Sequence, residues 1–173
     1  MTGAVAAVLG SGQNIVYAPG LVRKLYTGYA STNTAYFDSR TPYSTSIDTA
    51  PANQSWDDDD YSGLWTGYYR PASSGITTFT INISGDRYNS RSYLWIGATA
   101  RSGYAANNAL IAAGSGGGSA GTSLLGGISY PIRIQVGYED DSGFFTSSDL
   151  SFTLTVNGST SYSVFYNSLT QGF

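Results

Sequence analysis

The chain has 173 residues, a net charge of −3, no cysteine and no histidine. That length suits one domain, and the two missing residue types exclude disulfides, zinc–thiolate sites, a thiol nucleophile, the commonest general base and the commonest metal ligand. Eight Lys plus Arg in an acidic chain leave no positive footprint for phosphate, which excludes nucleic acid as a partner.

The start of the chain, from Met1 to Gly12, has no basic region and only a short apolar stretch interrupted by glycine. A secretory signal needs both, and no run of about 18 apolar residues occurs anywhere, so neither a signal nor membrane insertion is expected. Residues 1–20 read as an extended arm of the kind that docks on a neighbour, against the alternative of an ordinary frayed terminus. Residues 30–62 are polar and turn-rich, which predicts a long excursion with one short strand, either a functional loop or an arm packed over the sandwich edge. Strands follow at residues 64–70 and 76–84, the second with Phe79, Ile81 and Ile83 on one face and Thr80, Asn82 and Ser84 on the other. Another strand is expected at residues 93–98, and the glycine-rich residues 114–121 read as a flexible loop. Ile128, Tyr130, Ile132, Ile134, Val136 and Tyr138 alternate, as do Leu150, Phe152, Leu154 and Val156. Asn157-Gly158 suits a type I′ turn, since both central positions need positive φ, leading to a strand with Tyr162, Val164 and Tyr166 inward. The predicted fold is all-β: an antiparallel β-sandwich or jelly-roll barrel with long polar loops, spanning residues 21–168, followed by a tail at 169–173.

The central block resembles a known family. Gly67-Tyr68-Tyr69-Arg70-Pro71-Ala72-Ser73-Ser74-Gly75-Ile76-Thr77-Thr78-Phe79 is similar to the "G-Y-x-x-P-x-x-G-x-Y-T-F" stretch of PA14 and GLEYA domains. Tyr93-Leu94-Trp95-Ile96-Gly97 resembles their "L-W-I-G" strand, and Leu125 to Ile134 their "G-x-x-Y-P-I-R-I" strand. The resemblance implies a β-sandwich module of the kind found in fungal adhesins, bacterial toxins, glycosidases and phage structural proteins. Beside it, Trp95 and Tyr130 are large enough to fill the space between two sheets about 10 Å apart. Pro131 places its strand at a sheet edge or a bulge.

In the family's sugar-binding members, adjacent aspartates after the "Y-T-F" strand hold a calcium ion that ligates sugar hydroxyls. At that place this chain has Asp86-Arg87-Tyr88-Asn89, so one carboxylate stands and an arginine, which cannot ligate calcium, replaces the other. Asp86, Tyr88, Asn89 and Trp95 are the candidate glycan contacts, against the alternative of a solvated loop tip. The run Asp57-Asp58-Asp59-Asp60 and the turn Glu139-Asp140-Asp141 are the strongest electrostatic features. Asp57, Asp58, Asp60, Asp140 and Asp141 would form a shared calcium site if the two turns meet at one end of the sandwich; otherwise both are solvated acidic loops. Calcium is the one candidate cofactor, and no catalytic residue is assigned. A glycosidase needs two spaced carboxylates in a cleft, and no serine has a histidine to activate it.

Two functions fit. The first is a non-enzymatic phage structural protein (capsid decoration, tail or fibre component) in the virion, made in a host cytoplasm, released by lysis, and packed against other virion proteins or copies of itself. The second is a carbohydrate-binding adhesin module, secreted or at a cell surface, touching host-surface glycans with calcium assisting.

Overall fold

The computed structural model describes residues 5–9, 13–49, 52–56, 61–84, 89–139, 150–160 and 165–168. In chain order the strands are β1 (Val5–Leu9), β2 (Gln13–Pro19), β3 (Leu21–Thr27), β4 (Ser44–Asp48), β5 (Ala52–Trp56), β6 (Tyr61–Tyr69), β7 (Gly75–Ser84) and β8 (Asn89–Ile96). A helical turn α1 (Ala98–Arg101) precedes β9 (Ile111–Ala113), β10 (Gly118–Leu124), β11 (Tyr130–Glu139), β12 (Leu150–Val156) and β13 (Phe165–Ser168). Among the described residues, no helix is long and apolar enough to cross a membrane.

Two antiparallel sheets form a sandwich rather than a closed barrel. The smaller has the order β10-β7-β12-β5, and the larger the order β1-β2-β13-β6-β11-β8-β9, with β3 joined to β6 and β4 to β3. One edge of β6 is shared: β3 pairs with residues 61–66, and β13 with Tyr68 and Tyr69. Gly67 sits at the handover, where a Cβ would lie 2.4 Å from the Tyr166 carbonyl oxygen.

The core follows from the alternation. Phe79, Ile81, Ile83, Phe152, Leu154 and Val156 of the small sheet face Trp65, Leu94, Ile132, Ile134, Val136 and Phe165 of the large one. Trp65 lies in this core against Phe152, ring centroids 4.9 Å apart, and its indole N–H donates to Asp48 Oδ2 at 2.8 Å. The opposite face of the large sheet is also covered. Residues 28–43 fold back over it and bury Tyr26, Tyr36, Phe37 and Leu64, so the polar excursion is a packed flap. Residues 98–110 cover the neighbouring strip with Tyr93, Trp95, Ala100 and Tyr104.

Several expectations change. Trp95 is fully buried but under the second flap, not between the sheets; Trp65 fills the place expected for it. The reason is parity, since Trp95 and Leu94 point to opposite faces of β8. Pro131 is on β11, a central strand, but β8 has ended at Ile96 by that level and Gly97 donates to the Pro131 carbonyl, so no ladder bond is lost. Residues 118–121, expected as loop, open β10; at Gly117 (φ +84°) a Cβ would collide with the Ile81 carbonyl oxygen at 1.9 Å, so the glycine permits the approach. Ile128 is half exposed and precedes β11. Residues 5–9 and 13–19 are paired strands of the large sheet, not an arm apart from it. Asn157 and Gly158 do take positive φ (51° and 75°), with a reciprocal Val156–Ser159 pair. Beyond that pair the described residues add no return strand to the small sheet. The chain instead enters the large sheet as β13, with Phe165 and Asn167 inward; Tyr162 and Val164 lie outside the described residues.

Candidate ligand-binding end of the sandwich

Of the eight links between successive strands that change sheet, three share one end, here the crossing end: 57–60 from β5 to β6, 85–88 from β7 to β8, and 140–149 from β11 to β12. The register places all their anchor points together. Tyr61 pairs with Tyr138, Glu139 with Asn89, Leu150 with Trp56, and Ser151 with Ser84. The acidic run and the acidic turn therefore leave from one end of the sandwich, the condition the sequence left open. Asp57, Asp58, Asp60, Asp86, Tyr88, Asp140 and Asp141 themselves lie outside the described residues.

The described rim of that end is polar. Asn89 is exposed, and its Nδ2 donates to Glu139 Oε2 at 2.8 Å. Beside them, burial raises the Tyr29 phenol, with Ser31 and Arg91 opposing and Glu139 adding to the rise. A carboxylate and an amide oxygen are the hard donors that calcium accepts. Among the described residues no three acidic side chains gather into a metal cluster. On the far side of the rim, the Tyr43 ring leans on Tyr61, centroids 6.2 Å apart.

Trp95 does not join this rim. Its indole N–H is shared between the Ala105 carbonyl and Asn108 Oδ1, both at 3.0 Å, and its ring stacks on Tyr93. With no exposed surface it offers nothing to a glycan. Sequence reasoning also missed Arg133, on the face of β11 opposite the core. The guanidinium is buried beneath both flaps, its carbon 3.7 Å from the centroid of Tyr104 and Nη2 3.6 Å from Asp38 Oδ1. Tyr104 donates to Asp38, tying one flap to the other above it. The signal was a charge inside an apolar alternation; only the flaps turn that face from solvent into interior.

The opposite end holds a cavity of about 340 Å³ lined by Tyr69, Pro71, Ser74, Thr77, Val156 and Asn157. Ile76, Leu125 and Ile128 are exposed there.

Comparison with known proteins gives three results. The GLEYA domain model matches residues 61–155, more than half of the chain. No curated protein sequence matches. Among solved structures, the A domain of epithelial adhesin 6 from Candida glabrata, in complex with Galβ1-3GlcNAc, superposes with TM-score 0.58 at 16% identity, over 87% of this chain and 88% of that one. The A domain of epithelial adhesin 9 from the same organism, in complex with Galβ1-4GlcNAc, gives TM-score 0.61 at 13% identity, over 88% and 90%. The PA14 domain of the antifreeze protein MpAFP gives 0.58 at 12% identity, over 92% and 96%. At these identities the structural likeness establishes the fold, a PA14-like sandwich.

Proposed function

The chain belongs to the GLEYA domain family, and on that premise we propose that it is a non-enzymatic carbohydrate-binding module of adhesin type, working at a cell surface. The observation that carries the reading is that three of the connections between the sheets, the two acidic ones among them, are anchored at one end of the sandwich. The connections that carry Asp57, Asp58, Asp60, Asp86, Asp140 and Asp141 start and finish on strand ends at the Asn89–Glu139 rim, and these residues are assigned to the site on that ground. Loops held by a rigid scaffold are where binding residues concentrate. The adhesin domains of like fold, crystallised with galactose-containing disaccharides, support the ligand class.

Calcium fits the donor set. Clustered carboxylates repel one another, and a hard divalent cation relieves that repulsion while leaving coordination positions for sugar hydroxyls. Because Arg87 stands where the family's sugar-binding members carry a second aspartate, the metal ligands are assigned instead to the acidic run and the acidic turn, with Asp86 contributing from the middle connection. Asn89 and Tyr88 are assigned to sugar hydroxyl and ring contacts; Trp95 is withdrawn. A place in a phage virion, expected from the sequence, gains no support from the relatives and is set aside.

The test is a glycan array probed with the full chain in calcium and again in chelator. Binding of galactose-containing glycans that falls in chelator supports the reading. No glycan above background in either condition overturns it.

A further inference from the structure

Tyr43 is the one aromatic side chain more than half exposed (54%) among the described large apolar residues. The other aromatic rings of the neighbourhood, Tyr26, Tyr36, Phe37 and Tyr138, are buried. Its position is fixed from three directions. Pro42 precedes it and restricts the backbone. Its N–H donates to the Leu25 carbonyl at 2.9 Å, and its ring meets Tyr61 at 6.2 Å with planes 56° apart. Tyr61 is the first residue of β6, directly after the acidic run, and pairs with Tyr138 one residue before Glu139. Tyr43 therefore stands at the crossing end, on the side of the rim away from Asn89. In the strand order β4-β3-β6-β11-β8, Tyr43 at the head of β4 and Asn89 on β8 are four strand spacings apart, roughly 19 Å. An oligosaccharide spans that distance; a single sugar does not.

The surroundings decide what the ring accepts. Ser39, Thr41 and Thr45, its neighbours along the chain, are exposed hydroxyls, Arg23 is the charged group near enough to act on its phenol, and the next exposed apolar side chain on β4 is Ile47, four residues on. This is an isolated ring bordered by hydroxyls and one guanidinium rather than an apolar patch of the kind that docks a protein. A fixed aromatic face flanked by hydroxyls suits the C–H face of a pyranose, which is apolar above and below and polar at its rim. The ring is held in place before any ligand arrives, so little ordering cost is left for binding.

We propose that Tyr43, backed by Tyr61, is an aromatic subsite that stacks a distal ring of an oligosaccharide whose terminal sugar is held at the Asn89–Glu139 rim. The proposal rests on the glycan-binding reading above and extends it to the preferred ligand length. The test measures affinities by calorimetry, in calcium, for free galactose and for a tetrasaccharide ending in Galβ1-3GlcNAc, with the full chain and with Tyr43→Ala, Tyr43→Phe and Tyr43→Trp. Tyr43→Ala is expected to weaken the tetrasaccharide by about 5- to 10-fold, the equivalent of one lost stacking contact. Galactose affinity stays unchanged, while the Phe and Trp variants bind the tetrasaccharide within about twofold of the parent because the ring face, not the hydroxyl, makes the contact. Unchanged tetrasaccharide affinity in a folded Tyr43→Ala, with the parent binding, overturns the subsite alone. A parent that binds neither probe overturns the underlying reading and the subsite together. Sedimentation showing a dimer that Tyr43→Ala dissolves assigns the ring to a second copy and also overturns it.

Discussion

Replacing Arg133 with methionine should leave the protein as stable as before or more so, an unusual outcome for a buried arginine on a central strand. Arg133 is 6% exposed, and its Nε and Nη2 meet no protein acceptor within hydrogen-bond reach. A buried donor left unmet costs about 1–3 kcal/mol, so the two together cost about 2–6 kcal/mol. Against this stand the stacking on Tyr104, worth about 2 kcal/mol when desolvated, and the contact with Asp38, whose side chain is 48% exposed. Solvent screens that ion pair to about 0.5 kcal/mol. Arg133→Met keeps the aliphatic stem and offers sulfur to the Tyr104 ring, while Asp38 retains its bond from Tyr104 and its water. The balance is a gain of roughly 0–3 kcal/mol. At about 2–4 °C per kcal/mol for a chain of this size, Tm should hold or rise by several degrees in thermal unfolding followed by near-ultraviolet circular dichroism. A fall of more than about 5 °C would mean that the Asp38–Arg133–Tyr104 arrangement stabilises the flaps on balance, and the reasoning would be wrong.

Three further outcomes follow from the packing. Asp48→Ala strands the Trp65 indole N–H inside the core and should cost about 1–3 kcal/mol, read from chemical denaturation; an unchanged midpoint would deny that this bond matters. Gly67→Ala drives a Cβ onto the Tyr166 carbonyl and the Leu21 side chain where β3 hands over to β13. It should lose more than about 2 kcal/mol or fail to fold, whereas Gly75→Ala, with open space around it and only backbone strain to bear, should lose less. Burial raises the phenols of Tyr26, Tyr29, Tyr43, Tyr69 and Tyr104 above their ordinary value of 10.0. The unfolded chain then binds fewer protons than the folded one in alkali, so stability is intact below pH 10 and falls as pH rises through the raised values. A Tm that is flat to pH 11.5, while absorbance reports tyrosinate, would contradict this.

The inner faces of the sandwich were legible because period-two alternation and burial are the same fact in a half-buried strand. Phe79, Ile81 and Ile83, and Phe152, Leu154 and Val156, went where alternation sent them. Alternation failed where both faces of the sheet are covered. On β6 and β11 nearly every residue is buried, so Arg133 and Gln135, which alternation alone assigns to solvent, lie beneath the flaps. It failed again past the Asn157-Gly158 turn: the turn formed, but after the Val156–Ser159 pair the next described strand, β13, belongs to the large sheet. Glycine-rich residues 118–121 read as loop because flexibility and close backbone approach use the same residue. The candidate site was half legible. The two acidic turns were visible as composition, but that the strands flanking them end together is a property of strand order, which no local pattern carries. Tyr43 gave no signal, since exposure is decided by what the flap leaves uncovered.

The central claim is that sugar is bound at the crossing end, and amide chemical-shift mapping on the isotope-labelled chain tests it most directly. Titration with Galβ1-3GlcNAc in calcium should shift amides at Tyr61, Asn89 and Glu139, and leave Ser74, Thr77 and Asn157 around the opposite cavity unmoved. Shifts confined to that opposite end, or none at all, would contradict the account.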